Sequence, residues 1–271
     1  MDRMTGGRHL IVGSGNAARF VLKLLEVLFN CDFKATLVSR TPDACREKFR
    51  DWKNVTISNS QFHSDAYEAI WLSVPDAYIS TYAQSIKAVG KRWIHLSGAT
   101  SLEALKPHTD NGMVIWPVIS LASPYDIQQV PLVIETATKD DFVVLLKQKF
   151  TNAIEMPYQK RLATHMAAVV SNNFVHHLHA LLEEELEHQG ISRQLLQPII
   201  EQTSQRILVG ELKSSQTGPA RRGDQKTIEK HLKTLHNEKL LHLYKTLTQS
   251  ILTYYAAELQ ANTSRNNDLY I

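Results

Sequence analysis

The sequence predicts an α/β domain built on a doubly wound, mostly parallel sheet, followed by an all-α C-terminal domain. Three observations predict it. Apolar runs bounded by Gly and Pro alternate with helical-period segments from His9 to Pro157. From Tyr158 onward strand signals vanish and helical periodicity remains. The first apolar run also breaks into a glycine turn that reopens as a helix. Alternating strands and helices are the pattern of a parallel sheet covered on both faces.

The first element is His9-Leu10-Ile11-Val12-Gly13-Ser14-Gly15-Asn16-Ala17-Ala18, read as strand, tight turn and the start of a helix through Phe29. Gly13 permits the sharp turn, Gly15 lacks the Cβ that would hold a pyrophosphate away, and Ala18 lets the helix lie close to the strand, as in a Rossmann-type nucleotide domain. The helix N-terminus then offers free N–H groups to an anion. The second strand, from Lys34, is closed by Pro42 and ends in Ser39-Arg40-Thr41. An acid there would bind the ribose hydroxyls of NAD, whereas an arginine pairs with the 2′-phosphate of NADP. Gly13, Ser14, Gly15, Asn16, Ala17, Ser39, Arg40 and Thr41 are therefore candidate cofactor residues, and NADP is the expected cofactor.

Residues 43–52 have helical spacing, and Val55-Thr56-Ile57 suits a short strand. Ala69 to Val74 is a continuous apolar run stopped by Pro75-Asp76, followed by a helix from about Ala77 to Val89 and a strand from Arg92 to Ser97. Ligands of such sheets bind beyond the carboxyl ends of the strands, so Val74-Pro75-Asp76 and Ser97-Gly98-Ala99 are expected to border the cofactor. The Ser97 hydroxyl could reach nicotinamide or substrate. Gly112 to Val118 and Pro131 to Ile134 extend the sheet, Asp141 to Phe150 is helical, and Asn152 to Pro157 reads as the last strand. These elements give two domains, 1–157 and 158–271. In the second, helices are expected over Arg161 to Gln189 with Gly190 as cap, Ser192 to Glu211, Asp224 to Leu235 and Glu238 to Leu259, before a polar tail from Ala261 that suits disorder.

Polar residues interrupt the long apolar helix. His165 and Asn172, at i and i+7, share a face of an α-helix, and both are candidates to line an interdomain cleft. For either Asn172 or Asn173 alone, the alternative is a core amide satisfied by neighbouring backbone. His176, His177 and His179 have metal-compatible spacing, but no carboxylate or cysteine pattern completes a site, so no metal is expected. Thr217-Gly218-Pro219-Ala220-Arg221-Arg222-Gly223-Asp224 is a turn-bounded loop with Asp224 as N-cap of the next helix. Arg221 and Arg222 on it form a fork for a carboxylate or phosphate.

With 271 residues, 43% hydrophobic and 21% charged, the chain has the composition of a soluble globular protein and room for two cores. A net charge of +3 gives no argument for nucleic acid, and no apolar run approaches a membrane span. The N-terminus lacks the apolar core of a signal peptide, and Cys31 and Cys45 lack C-x-x-C spacing, so a cytoplasmic protein with reduced thiols is expected.

Val12 to Ala17 resembles the cofactor loop of pyrroline-5-carboxylate reductases and deazaflavin-dependent NADP oxidoreductases. Val74-Pro75-Asp76, His95 to Ser101, His165 to Phe174 and above all Thr217 to Asp224 resemble, over about residues 8–258, the bacterial Rossmann-like proteins whose C-terminal half is called domain of unknown function 2520. The resemblance implies an NADP-type domain and a helical domain similar to that of 6-phosphogluconate dehydrogenases, which commonly dimerises; it implies no substrate. Two departures stand out. Hydroxyacid dehydrogenases of this superfamily place a lysine four residues before an Asn, where this chain has Ala168 and Val169 before Asn172 and Asn173. Relatives often carry His or Tyr where Trp116 precedes Pro117.

Together these features point to an NADP-dependent oxidoreductase, acting on a small anionic substrate, that works as a homodimer through its helical domain. His165 is the candidate proton donor with Ser97 and Asn172 in support, and Trp116, Arg221 and Arg222 are candidate substrate contacts. Imine reduction suits the missing lysine better than alcohol oxidation. The alternative is a non-catalytic NADP-binding sensor or assembly protein.

Overall fold

The computed structural model describes residues 6–59, 66–87, 89–106, 108–210 and 212–256. Eight strands and four helices open it: β1 (Arg8–Val12), α1 (Asn16–Phe29), β2 (Lys34–Val38), α2 (Pro42–Lys48), β3 (Val55–Ser58), β4 (Ala66–Leu72), α3 (Ile79–Ser85), β5 (Val89–His95), β6 (Gly112–Pro117), β7 (Leu132–Thr136), α4 (Asp141–Lys149) and β8 (Ala153–Glu155). They form one sheet in the order β3-β2-β1-β4-β5-β6-β7-β8, parallel throughout except for the antiparallel pair β6–β7. This is the doubly wound, Rossmann-like sheet that the alternation predicts.

The reason lies in the strands. Leu10, Ile11 and Val12 are all buried because successive side chains point to opposite faces and both faces are covered. Ile11, Leu37, Trp71 and Ile94 join Phe20 and Leu24 of α1 and Phe142 and Leu146 of α4 in one core. Leu10, Val12, Ile70, Leu72 and Trp93 join Ile79 and Ala83 of α3 in the other. The helix expected from Ala77 to Val89 is shorter. A 3₁₀ turn, Asp76–Tyr78, leads into α3, the chain is already extended at Ile86, and β5 begins at Val89 by pairing with Ala66. Pairing along the sheet overrides the helical period there.

Strands end at Glu155, and α5 (Tyr158–Ala168) follows. The expected helix from Arg161 to Gln189 is not one α-helix: α5 passes through a π-helical segment, Val169–Phe174, into α6 (Val175–His188). The paired β-branched valines, 169 and 170, and the polar run Ser171-Asn172-Asn173 disfavour α geometry there. A π turn carries i→i+5 bonds, so the α-helical spacing that put His165 and Asn172 on one face does not hold across it. By packing, the chain divides into two compact units, Met1–Val170 and Ser171–Ile271. The division falls after Val170, because α5 is fastened to the sheet through Arg161.

The second unit holds α6, a 3₁₀ turn at Arg193–Leu196, α7 (Gln197–Val209), α8 (Pro219–Arg222), α9 (Gln225–Thr234) and α10 (Glu238–Tyr254). The loop expected at Pro219 to Arg222 is a single helical turn between Gly218 (φ +102°) and Gly223 (φ +70°). Asp224 caps α9 as predicted, accepting from Thr227 N. Asn237 caps α10, and the buried Glu185 carboxylate accepts from the N–H groups of His236 (3.0 Å) and Asn237 (2.7 Å). No residue of α7 is buried, and Ile199, Ile207, Leu208 and Val209 are exposed. The predicted positions Glu211, Leu259 and the tail 261–271 lie outside the described residues. Among the described residues, no helix is long and apolar enough to cross a membrane.

Candidate functional site

Two constellations of predicted residues assemble in the first unit. One is a cleft of about 770 Å³ at the carboxyl ends of β1, β2 and β4. Its floor is the glycine turn. Val12 is held by its neighbours in the sheet, its carbonyl accepting from Ser73 N at 2.8 Å, and Gly13 N donates to Val38 O at 3.0 Å. Gly13 sits at φ +109°, and a Cβ there would fall 2.2 Å from the Ser73 carbonyl oxygen, so glycine is required twice over. Gly15 is different. It is the N-cap of α1 in extended geometry, φ −80°, and a Cβ on it would meet nothing within 4 Å. The structure around it has no use for a glycine, whereas a ligand lying on the turn does.

The first turn of α1 carries no acid and its N-cap supplies no side-chain acceptor, so its N–H groups and positive dipole end are left to whatever fills the cleft. Ser14 Oγ lies 3.0 Å from Ser39 Oγ, and Ser39 Oγ accepts from Thr41 N at 3.2 Å, which ties the glycine turn to the end of β2. Arg40 between them is exposed and lines the cleft. Lys48, the last residue of α2, reaches back to donate from Nζ to Ser14 O at 2.8 Å. Of the predicted cofactor residues, Gly13, Ser14, Gly15, Ser39, Arg40, Thr41, Val74 and Pro75 line this cleft, with Tyr78, Tyr82 and Ser85. Asn16 and Ala17 open α1, and Ser97 and Gly98 belong to the second constellation; none of these four is part of the lining.

That second group is built on the loop after β5. Ser97 is buried, and its Oγ donates to Asp76 Oδ2 at 2.6 Å, accepts from Ala99 N and Thr100 N at 3.1 and 2.8 Å, and lies 2.9 Å from Thr100 Oγ1. Its hydroxyl is therefore committed to the loop. Gly98 lies directly under His165: a Cβ there would come 2.3 Å from His165 Cδ2 and 2.8 Å from Trp116 Cε2. The Trp116 and His165 rings pack at 5.4 Å between centroids, so His165 is half-buried between an indole and a bare backbone. His95, at the end of β5, is fully buried; burial first and the Arg161 guanidinium second push its pKa down to about 3, so it stays neutral and its Nδ1 accepts from Ser97 N at 3.2 Å.

The remaining predicted residues lie in the second unit. Asn172 is exposed within the π-helical segment. Arg221 stacks over the Tyr255 ring at 4.2 Å, while Arg222 is exposed. The sequence pattern points to Asp76 as a border of the cofactor, but not to Lys48, Glu135, Tyr158 or Arg161. Lys48 and Ser14 are 34 residues apart, and no local spacing announces such a bond.

Residues 131–251 match the family model described as domain of unknown function DUF2520. Among curated proteins, none matches the sequence. Solved structures do. The proposed NADP oxidoreductase BF3122 from Bacteroides fragilis superposes with a TM-score of 0.79 at 23% identity, covering 91% of this chain and 98% of that one. Protein TM1727 from Thermotoga maritima gives 0.65 at 22% identity over 92% and 99%. A 1-pyrroline-5-carboxylate reductase from Streptococcus pyogenes gives 0.56 at 14% identity over 92% and 99%. The fold is thus shared along nearly the whole chain.

Proposed function

We propose that the chain is an NADP-dependent oxidoreductase that passes a hydride to or from a small anionic substrate. The observation that carries this reading is the first cleft, where an open space over Gly15, an acid-free helix N-terminus and the pair Arg40 and Lys48 surround three hydroxyls, those of Ser14, Ser39 and Thr41. The names of BF3122 and of the pyrroline-5-carboxylate reductase support it, since both belong to oxidoreductases of this fold.

The residues fit the cofactor. Gly13 to Gly15 and the start of α1 would hold the pyrophosphate, and Arg40 would pair with a 2′-phosphate as a fork. Lys48 spends one of its three N–H groups on Ser14 O, which leaves two that would add positive charge beside the turn. No carboxylate stands at Ser39, Arg40 or Thr41 to bind the free ribose hydroxyls of NAD. When bound, the nicotinamide supplies or accepts the hydride. The chain's own contribution to the chemistry is a proton, for which His165 is the candidate, since an imidazole can donate or accept one and its ring is packed between Trp116 and Gly98. Ser97 holds the loop beneath it. Arg222, an exposed cation beside Arg221, which is engaged by Tyr255, supports an anionic substrate. The free thiols of Cys31 and Cys45 suit a reducing, cytoplasmic location. Self-association through the helical unit belongs to the same reading, carried by α7.

Thermal unfolding tests the cofactor. NADP should raise the midpoint more than NAD at equal concentration, and Arg40→Ser and Lys48→Gln should each shrink that difference; equal shifts in the wild-type protein would end the NADP assignment. A second reading, an NADP-binding sensor without turnover, is favoured by the packing of Trp116 against His165. Consumption of NADPH with carboxylate-bearing carbonyls and imines separates the two, and His165→Ala should abolish it.

A further inference from the structure

α5 meets the loop after β5 with three residues, Tyr158, Arg161 and His165, spaced i, i+3 and i+7 along one face. Arg161 is wholly buried. Its Nη1 donates to Ser97 O at 2.8 Å, and its Nη2 donates to Thr100 O at 2.7 Å and to Glu135 Oε2 at 2.8 Å. Its Nε donates to the same carboxylate oxygen at 3.0 Å. Tyr158 donates from its hydroxyl to Ala99 O at 3.2 Å, and its ring lies 5.3 Å from the guanidinium carbon. Gly98, the remaining residue of the loop, is the one under His165. Each residue from Ser97 to Thr100 is thus held from a single helix face, two of them by one guanidinium.

The sheet sets the other end of this arrangement. His95 pairs with Val114 of β6 and Val114 with Glu135 of β7, so the three stand in one row and point to one face. Arg161 bridges that row, neutralised by Glu135 on one side; on the other stands His95, kept uncharged by burial first and by the Arg161 charge second, which accepts the Ser97 N–H. Only a planar, forked cation serves two carbonyls and a carboxylate together; a lysine ammonium is a point charge without that geometry.

We infer that Arg161, seated on Glu135, is the positioning residue of this site: it fixes the loop 97–100 and, one turn further along α5, the imidazole of His165 over Gly98 and against Trp116. The positional part stands by itself, and its consequence for turnover rests on the reading of His165 as proton donor. The hydrogen bonds of Arg161 go to Glu135, Ser97 and Thr100, none of which lines the glycine cleft, so NADPH affinity should change little in its variants.

The test uses the full chain and reads His165 directly. The ring-current shift that Trp116 imposes on the His165 imidazole protons, assigned with His165→Gln, reports their packing by proton NMR. Arg161→Lys and Arg161→Met should both move those resonances to the positions of exposed histidines, with NADPH affinity within about twofold of wild type, a change of about 0.4 kcal/mol or less. Where turnover is measurable, kcat should fall at least tenfold with KM for NADPH unchanged. Unmoved His165 resonances in a folded Arg161→Lys or Arg161→Met protein would overturn the inference, as would a KM effect without a kcat effect. Should Arg161→Met fail to fold, Glu135→Gln carries the same readout, because it keeps an acceptor but removes the countercharge; resonances unmoved there and in Arg161→Lys refute the role. If the wild-type protein turns nothing over, the NMR result still decides, so the failure of this inference and of the proposed function are separate outcomes.

Discussion

Gly15→Ala separates a glycine kept for a ligand from a glycine kept for a turn. Gly15 lies at φ −80° and ψ −165°, where any residue is at ease, and an added Cβ meets nothing within 4 Å. Alanine at an N-cap costs about 1 kcal/mol relative to better caps, and the lost freedom of the unfolded chain returns about 0.4–1 kcal/mol. The ligand-free midpoint should therefore stay within about 4 °C of wild type, at roughly 2–4 °C per kcal/mol. The cleft should not be indifferent, since the methyl projects onto the floor where a pyrophosphate would approach the α1 N–H groups. We expect NADPH affinity to fall at least tenfold, about 1.4 kcal/mol. With ligand at 100-fold above the wild-type Kd, stabilisation would drop from about 2.7 to about 1.4 kcal/mol, a loss of roughly 3–5 °C in the ligand-induced shift. Differential scanning fluorimetry with and without NADPH, backed by isothermal titration, measures both quantities. Gly13→Ala is the contrast: its Cβ would strike the Ser73 carbonyl and its φ of +109° is strained for alanine, so it should lose about 1–3 kcal/mol or more without any ligand. An unchanged Kd in Gly15→Ala would refute the reading of this turn as a nucleotide site.

Three further outcomes follow from the geometry. Gly98→Ala drives a methyl into His165 and Trp116; it should lower turnover more than NADPH affinity, and full activity would mean that the imidazole need not sit there. Stability should decline on acidification in two windows. His9 and His95 are held neutral by burial, with folded pKa values lowered to about 4 and about 3 from 6.5, so the unfolded chain binds more protons and stability is lost as pH falls below 6.5. Glu185 is lowered from 4.5 to about 2, chiefly by the Asn237 N–H, so its contribution is present above 4.5 and lost as pH falls toward 2. Midpoints recorded from pH 8 to pH 3 check this, and Glu185→Gln should flatten the lower window; an unchanged profile would remove the assignment. Leu208→Glu, placing a charge on the exposed apolar face of α7, should dissociate any self-assembled species in sedimentation velocity. A wild-type protein that sediments as a monomer at micromolar concentration would rule out self-association.

Most of the sheet was legible because burial on both faces writes itself as unbroken apolar runs, as in Ile70 to Leu72, and because Gly13 and Pro42 mark turns that the backbone requires. Arg40 was legible for the same local reason, its position at a strand end being fixed once the strand is known. The contacts that complete the site were not. Arg161 with Glu135, and Lys48 with Ser14, join residues 26 and 34 positions apart, and their meeting depends on strand order and register, which no short window carries. The strand ends place Asp76 and Ser97 at the same edge of the sheet, but the bond between them appears only when β4 and β5 are side by side. The π-helical segment escaped because its residues are compatible with a helix of either period, and the preference is settled by a few competing side-chain effects.

The loop from Ser97 to Thr100 has no regular structure, yet the amides of Ser97, Ala99 and Thr100 and the carbonyls of Ser97, Ala99 and Thr100 are all engaged. Its order is built in before any ligand arrives, so docking against it costs little conformational entropy. It should exchange amide protons as slowly as a strand does, while the N–H groups at the start of α1 exchange freely until an anion covers them. Deuterium uptake would then read the two halves of the site independently: one half is constant, and the other records occupancy.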